Sequence, residues 1–256
     1  MQKVTAGILP KLKRDKQGLH DDISRAAAAL SGEIKLLALP SWRGNEGHPD
    51  GLVEQLALVA EKHRTYFAFH AYVREGKQLY SRCWLVDDRG QVCFRQDQTH
   101  DRSGTLTIGD SLHICRTSLG TVGFLLGDDV RVPEVGRILR LQGANLFLAY
   151  SFLPAPANPW RQWAGVWQQV QQNQVFALEA SFNGQIDGHD YAGDNVIHAP
   201  CEMTVGDSGF LARGSAGGLS ADLNYQTLEQ VKGDYPLHQY YNNSFYQNNL
   251  ANCYRR

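Results

Sequence analysis

Gly123 to Arg137 reads GFLLGDDVRVPEVGR, and this stretch decides how the rest of the chain is read. An apolar run, Thr121 to Leu126, ends at Gly127. Two acidic residues follow, and Pro133 then stands where its missing N–H costs a helix nothing. Ile138, Leu139 and Leu141 continue the helix, with Gly143 placed to end it. The passage is a strand, a tight turn and a helix. If the strand ran on through Asp128 and Asp129, their side chains would point to opposite faces and only one could look into a site at the turn.

The same alternation extends in both directions. Lys3 to Leu9, Ile34 to Leu39 and Thr65 to Val73 read as strands, the first two stopped by Pro10 and Pro40. His20 to Leu30 reads as a helix between them. A second helix, capped by Asp50, carries Leu52, Val53, Leu56, Val59 and Ala60 on one face. Two hairpins follow: Leu79 to Val86 with Gln91 to Arg95 around Asp87 to Gly90, and His113 to Thr117 with Thr121 to Leu126 around Leu119 and Gly120. Beyond Gly143 come a strand at Asn145 to Tyr150, a helix at Pro159 to Asn173 and a strand at Val175 to Phe182. Strands near Asn195 to His198, Gly209 to Ala212 and Gly218 to Leu223 lead to a short helix from Tyr225. Trp160, Trp163 and Trp167 recur at helical spacing, which favours packing over an aromatic binding box. Parallel-type connections mixed with hairpins predict an α/β protein with mixed sheets covered by helices. No repeat or linker divides residues 1–237, which read as one domain. Residues 238–256 are rich in Asn and Tyr and read as a surface tail or an arm laid on a partner subunit.

Composition narrows the function. The 256 residues suffice to bury roughly 70–75% of the unfolded surface without a staple. The 25 basic and 26 acidic residues leave a charge of −1, which argues against nucleic acid or an anionic membrane as partner. The five cysteines (Cys83, Cys93, Cys115, Cys201, Cys253) are scattered and lack CxxC spacing, so neither a disulfide framework nor a zinc site is expected. His189 and Asp190, with Asp187 and Asp194, read as a polar turn built on glycines rather than a metal-ligand set. No signal-like or membrane-length apolar run occurs, and no cofactor motif is found. The expectation is a cytoplasmic protein without metal or cofactor.

Several segments together resemble the nitrilase, or carbon-nitrogen hydrolase, superfamily. Gly123, Asp129, Pro133, Glu134 and Arg137 fall in register with G-x-x-I-C-Y-D-x-x-F-P-E-x-x-R. LLALPSW (Leu36 to Trp42), GQVCFRQ (Gly90 to Gln96), LQGANLFLAYS (Leu141 to Ser151), QQNQVFALEASFNG (Gln171 to Gly184) and SAGGLSADLNYQTLEQVK (Ser215 to Lys232) match further family segments in order. The resemblance implies a four-layer α-β-β-α sandwich, pairing of two copies through helices, and amide or nitrile hydrolysis by a Glu-Lys-Cys triad.

Carried over position by position, the base falls on Ser41, the lysine on Gln96 and the nucleophile on Gly127. None of these can fill its role. No catalytic residue is therefore assigned, and the resemblance leaves Ser41, Gln96, Gly127, Asp128, Tyr150 and Ser151 as the positions facing a small amide- or carboxylate-like ligand. The leading expectation is a catalytically retired member that binds such a ligand or a protein partner. The alternative is a divergent amidase with relocated groups, for instance Ser41 with His48 or His100. Nucleophile elbows hold strained backbone that glycine relieves. Gly127→Cys is accordingly expected to lower stability by about 1–3 kcal/mol; a melting temperature at or above the parent's would contradict the elbow.

Overall fold

Strands that are apolar on both faces must be covered on both faces, and two such sheets account for the architecture. The computed structural model describes residues 3–9, 23, 34–41, 50–186, 188–214 and 218–253. Apart from Ile23, the helix expected over residues 20–30 lies outside the described residues, as do Trp42, His48 and Asp187.

In chain order the strands are β1 Val4–Ile8, β2 Leu36–Ala38, β3 Tyr66–Glu75, β4 Gln78–Val86, β5 Val92–Asp97, β6 Cys115–Thr117 and β7 Gly120–Leu126. There follow β8 Leu146–Ser151, β9 Phe176–Ser181, β10 Gly184–Ile186, β11 His189–Tyr191, β12 Asn195–His198, β13 Phe210–Gly214 and β14 Leu219–Leu223. The helices are α1 Asp50–His63, α2 Pro133–Leu141, α3 over 159–173, α4 Tyr225–Asp234 and α5 Asn243–Cys253. One six-stranded sheet has the order β14-β1-β2-β3-β4-β5 and the other β13-β12-β9-β8-β7-β6. The centre of each is parallel, β1-β2-β3 and β7-β8-β9, and the outer pairs are antiparallel.

Alternation along the strands sorts side chains into three apolar layers. Leu36, Ala38, Ala68, Phe124, Leu126, Leu148 and Leu178 meet between the sheets. Leu37, Leu39, Phe67, Phe69 and Trp84 face outward and take up Leu52, Leu56, Val59 and Ala60 of α1. Leu125, Phe147, Ala149 and Ala177 face the other way, against Val135 and Leu139 of α2 and Val166 and Val170 of α3. The result is the expected α-β-β-α sandwich.

Three details differ from the sequence reading. Helix α3 is broken by a π-turn at Trp163–Trp167, where Gly165 leaves helical geometry, and Trp160 packs edge-on against Trp163, ring centroids 4.8 Å apart, while staying 68% exposed. The polar turn around His189 forms a small hairpin, β10 with β11, whose Gly188 takes φ +80°. Residues 243–253 form a helix, α5, and the ring of Tyr241 just before it lies under the Arg137 guanidinium at 4.6 Å.

One polar side chain sits deep in the layer between the sheets. His70, on β3, is fully buried, and its Nε2 shares a hydrogen bond of 2.8 Å with Ser81 Oγ. Burial holds its pKa down to about 3, against 6.5 in an ordinary setting. Between those values the unfolded chain binds a proton that the folded chain refuses. This contribution to stability is therefore present above about pH 6.5 and drains as pH falls towards 3, with a slope near 1.4 kcal/mol per pH unit. Denaturant unfolding between about pH 7 and pH 5 should show the slope, and His70→Gln should flatten it; equal slopes in both proteins would refute the assignment.

Candidate functional site

The central parallel strands of both sheets run the same way as the elbow strand β7, so the side chains past their carboxyl ends converge at one end of the sandwich. Register places Gln96, Cys83 and His70 on one rung across β5, β4 and β3. These three side chains belong to the face that looks between the sheets. On the opposing sheet Leu126, Tyr150 and Ala180 share a rung, and Gly127, Ser151 and Ser181 come immediately after it.

Gly127 ends β7 with φ +53°, in the left-handed region that side-chain-bearing residues avoid. The chain then turns as a 3-10 helix, Gly127–Arg131. The two aspartates thus lie in a turn, because the positive φ stops the strand before them. Asp129 turns inward and is 1% exposed. Its carboxylate accepts from Thr99 N (3.1 Å), Thr99 Oγ1 (2.9 Å) and His100 N (2.8 Å), and lies 3.1 Å from His100 Nδ1. Burial pushes its pKa up, and the bonds from Thr99 and His100 pull it back. Asp128 turns outward. It accepts from Arg102 N at 2.9 Å, and Arg131 lies 3.7 Å away.

The space beside Gly127 is taken. A Cβ on that residue would collide with the carboxamide of Gln98, with Cδ and Nε2 both 2.8 Å away. Gln98 is 4% exposed and is held by a bond from its Nε2 to His100 O at 2.5 Å. Gln96 is likewise committed: its Nε2 donates to Ser111 O (2.7 Å) and Asp97 O (3.0 Å), and its Oε1 accepts from His113 N (3.2 Å). It fastens the 111–113 segment to β5. Ser151 and Ser181 share a hydrogen bond of 2.8 Å; since Ser181 Oγ donates to Asp194 O, Ser151 is the donor between them.

Three buried polar atoms at this end have no hydrogen-bond partner among the described residues: Ser41 Oγ, His70 Nδ1 and Tyr150 Oη. The His70 and Tyr150 rings lie 5.6 Å apart. Phe152 packs on His70 at 5.3 Å, on Tyr72 at 5.9 Å and on Phe182 at 5.7 Å, so aromatic rings line the end of the sandwich. Cys83 is fully buried on the same rung. Burial, with Asp97 and Asp129 adding to it, pushes its thiol well above the ordinary range, away from the thiolate that nucleophilic attack needs.

Ser41, Gln96, Gly127, Tyr150 and Ser151 are thus distributed over the carboxyl ends of the strands of both sheets, while Asp128 faces the 99–106 loop. Cys201 is half-buried after β12. Sequence reasoning missed Gln98 and His70. The signals were a second glutamine two residues beyond Gln96, on the same face of a strand, and a lone histidine inside the apolar run TYFAFHAYV. Among the described residues no group of three His, Cys, Asp or Glu side chains could hold a metal ion, and no helix is long and apolar enough to cross a membrane.

The carbon-nitrogen hydrolase family model matches residues 33–232. The chain is 20% identical over 200 residues to nitrilase homolog 2 of Dictyostelium discoideum, covering 65% of this chain and 58% of that protein, so it spans less than two thirds of that relative's length. Among solved structures it is similar to a carbon-nitrogen hydrolase from Helicobacter pylori, with TM-score 0.81 and 16% identity over 100% of this chain and 99% of that one. A nitrilase superfamily member of Saccharomyces cerevisiae gives TM-score 0.77 at 18% identity, covering 92% and 95%. An amidase from Nesterenkonia sp. gives 0.72 at 20%, again covering 92% and 95%. At these identities the likeness to solved structures is one of fold, and it agrees with the four-layer sandwich. With the family model matched from residue 33 to residue 232, the chain belongs to the carbon-nitrogen hydrolase family.

Proposed function

We propose that this protein is a carbon-nitrogen hydrolase homologue that has given up cysteine-dependent hydrolysis and uses the same end of the sandwich to bind a small amide- or carboxylate-like molecule without covalent chemistry. The observation that carries the reading is at the elbow. The residue aligned with the family nucleophile is a glycine, and the Gln98 carboxamide fills the space a side chain there would need. A variant of the Nesterenkonia amidase carries the acetamide moiety of fluoroacetamide added covalently at its active site cysteine; Gly127 offers no atom for such a bond.

Relocation of the chemistry finds no support in the geometry. Among the described residues, which leave out His48, no base is hydrogen-bonded to Ser41 Oγ. His100 turns its Nδ1 to Thr99 and Asp129. His70 is held neutral. A hydrolase of this kind needs a nucleophile and base within hydrogen-bond reach. The ligand half of the proposal rests on Ser41 Oγ, His70 Nδ1 and Tyr150 Oη, since buried polar groups ordinarily find a partner. Pairing of two copies through helices would in addition cover Ile138 and Leu141, which stand exposed on α2.

Incubated with short aliphatic amides and nitriles, the protein is expected to show no turnover above the protein-free rate, where working enzymes exceed it by about a millionfold or more. Intact-mass measurement after fluoroacetamide treatment should find no adduct, and butyramide or acetate should raise the melting temperature saturably. Hydrolysis that disappears in Ser41→Ala or Asp128→Asn would overturn the reading.

A further inference from the structure

Strand β5 is the last strand of one sheet and β6 the last strand of the other. Each carries one cysteine, and the fold brings the two together across the gap between the sheets. Cys93 is the extra residue of a β-bulge: Phe94 pairs with Leu85 and Val92 with Val86, so Cys93 has no counterpart on β4. Its Sγ donates to Leu85 O at 3.4 Å. Cys115 stands opposite Val122 of β7 and packs on the rim of the layer between the sheets. Its Sγ lies 3.7 Å from Cys93 O, and the two thiols are within hydrogen-bonding reach of each other. Next to Cys93, Phe94 stacks on Phe124 of the opposing sheet, ring centroids 5.1 Å apart, and so holds the two edges at this separation. A disulfide forms without backbone movement only where two cysteines already approach in this way.

Reactivity singles out the same pair. When Cys115 ionises, the Cys93 thiol donates to it, which draws Cys115 below the ordinary thiol range and leaves Cys93 above it. Cys93 is exposed and Cys115 half-buried, so a small reagent reaches both. Cys83 is fully buried, and burial pushes its thiol and that of Cys201 upward, away from the reactive thiolate. The sequence gave no sign of the pair, because Cys93 and Cys115 stand 22 positions apart and on different sheets.

We propose that Cys93 and Cys115 are a redox pair whose reversible disulfide ties the edge of one sheet to the edge of the other. The oxidant is a small disulfide of the glutathione type. The Cys115 thiolate attacks one sulfur of the reagent, forming a mixed disulfide and releasing one reagent thiolate. Cys93 then loses its proton to solvent and attacks the Cys115 sulfur, expelling the second reagent thiolate. The protein gives up two electrons and two protons, and the reagent leaves as two thiols. The span closed by the bridge contains Gln98, Thr99 and His100, so both ends of the segment that packs on Gly127 and Asp129 become fastened. Formation of the bridge does not depend on what the elbow site binds.

Incubation of the reduced full chain with oxidised glutathione, followed by alkylation with N-ethylmaleimide, intact-mass measurement and peptide mapping, tests the pair. The folded parent should yield a linked Cys93–Cys115 peptide and lose two alkylatable thiols, and dithiothreitol should restore them. Cys93→Ser should stop at a glutathione adduct on Cys115, and Cys115→Ser should give no linked peptide. Because the bridge closes a loop of the unfolded chain, oxidation of the parent should raise its melting temperature by about 5–10 °C. A folded parent that forms no linked peptide, or that stops at the glutathione adduct, would overturn the proposal. So would linkage through Cys83, Cys201 or Cys253 as readily as between Cys93 and Cys115, or an oxidised form that melts at or below the temperature of the reduced one.

Discussion

The apolar layer between the two sheets is the contact on which the remaining structure depends. Leu36, Ala38 and Ala68 from one sheet and Phe124, Leu126, Leu148 and Leu178 from the other leave no room for water along the middle of the sandwich. Each sheet is covered on its far side by helices, so its strands are buried on both faces. That arrangement fixes strand direction and register, because a slip of one residue would exchange the inner and outer sets.

At the carboxyl end the organising group is a buried carboxylate. Asp129 gathers Thr99 and His100 and so draws the start of the 99–106 loop against the elbow. Gln98, immediately before that loop, is thereby brought beside Gly127. The two residues suit each other: glycine relieves the left-handed backbone, and its missing side chain gives the carboxamide its space. Gln96 follows the same trend, its amide spent on backbone groups of the 111–113 segment.

Much of this was legible in the sequence where the physics is local. The strand-turn-helix of Gly123 to Arg137, the proline at the start of α2 and the apolar face of α1 follow from periodicity and from the properties of Gly and Pro. Where two weak local signals competed, the reading failed. Whether the strand ran on through the aspartates after Gly127 was open in the sequence, and the positive φ turned them. Trp160 packs on Trp163 as their spacing suggests, yet it lies on the first turn, before the π-turn, and stays largely exposed. Asn-rich residues 243–253 carry little amphipathic pattern and still form a helix.

By itself the sequence determined the elements and their alternation, and it put Ser41, Gln96 and Gly127 where the family resemblance expects a triad, since these depend on residue identity and short-range spacing. Only the tertiary structure decided what surrounds those positions. That Gln98 enters the space beside Gly127, that His70 is buried neutral on the same rung as Gln96 and Cys83, and that Cys93 meets Cys115 are consequences of sheet register and of loops meeting across it. Such contacts join residues tens of positions apart, and no local pattern records which distant side chain will be the neighbour.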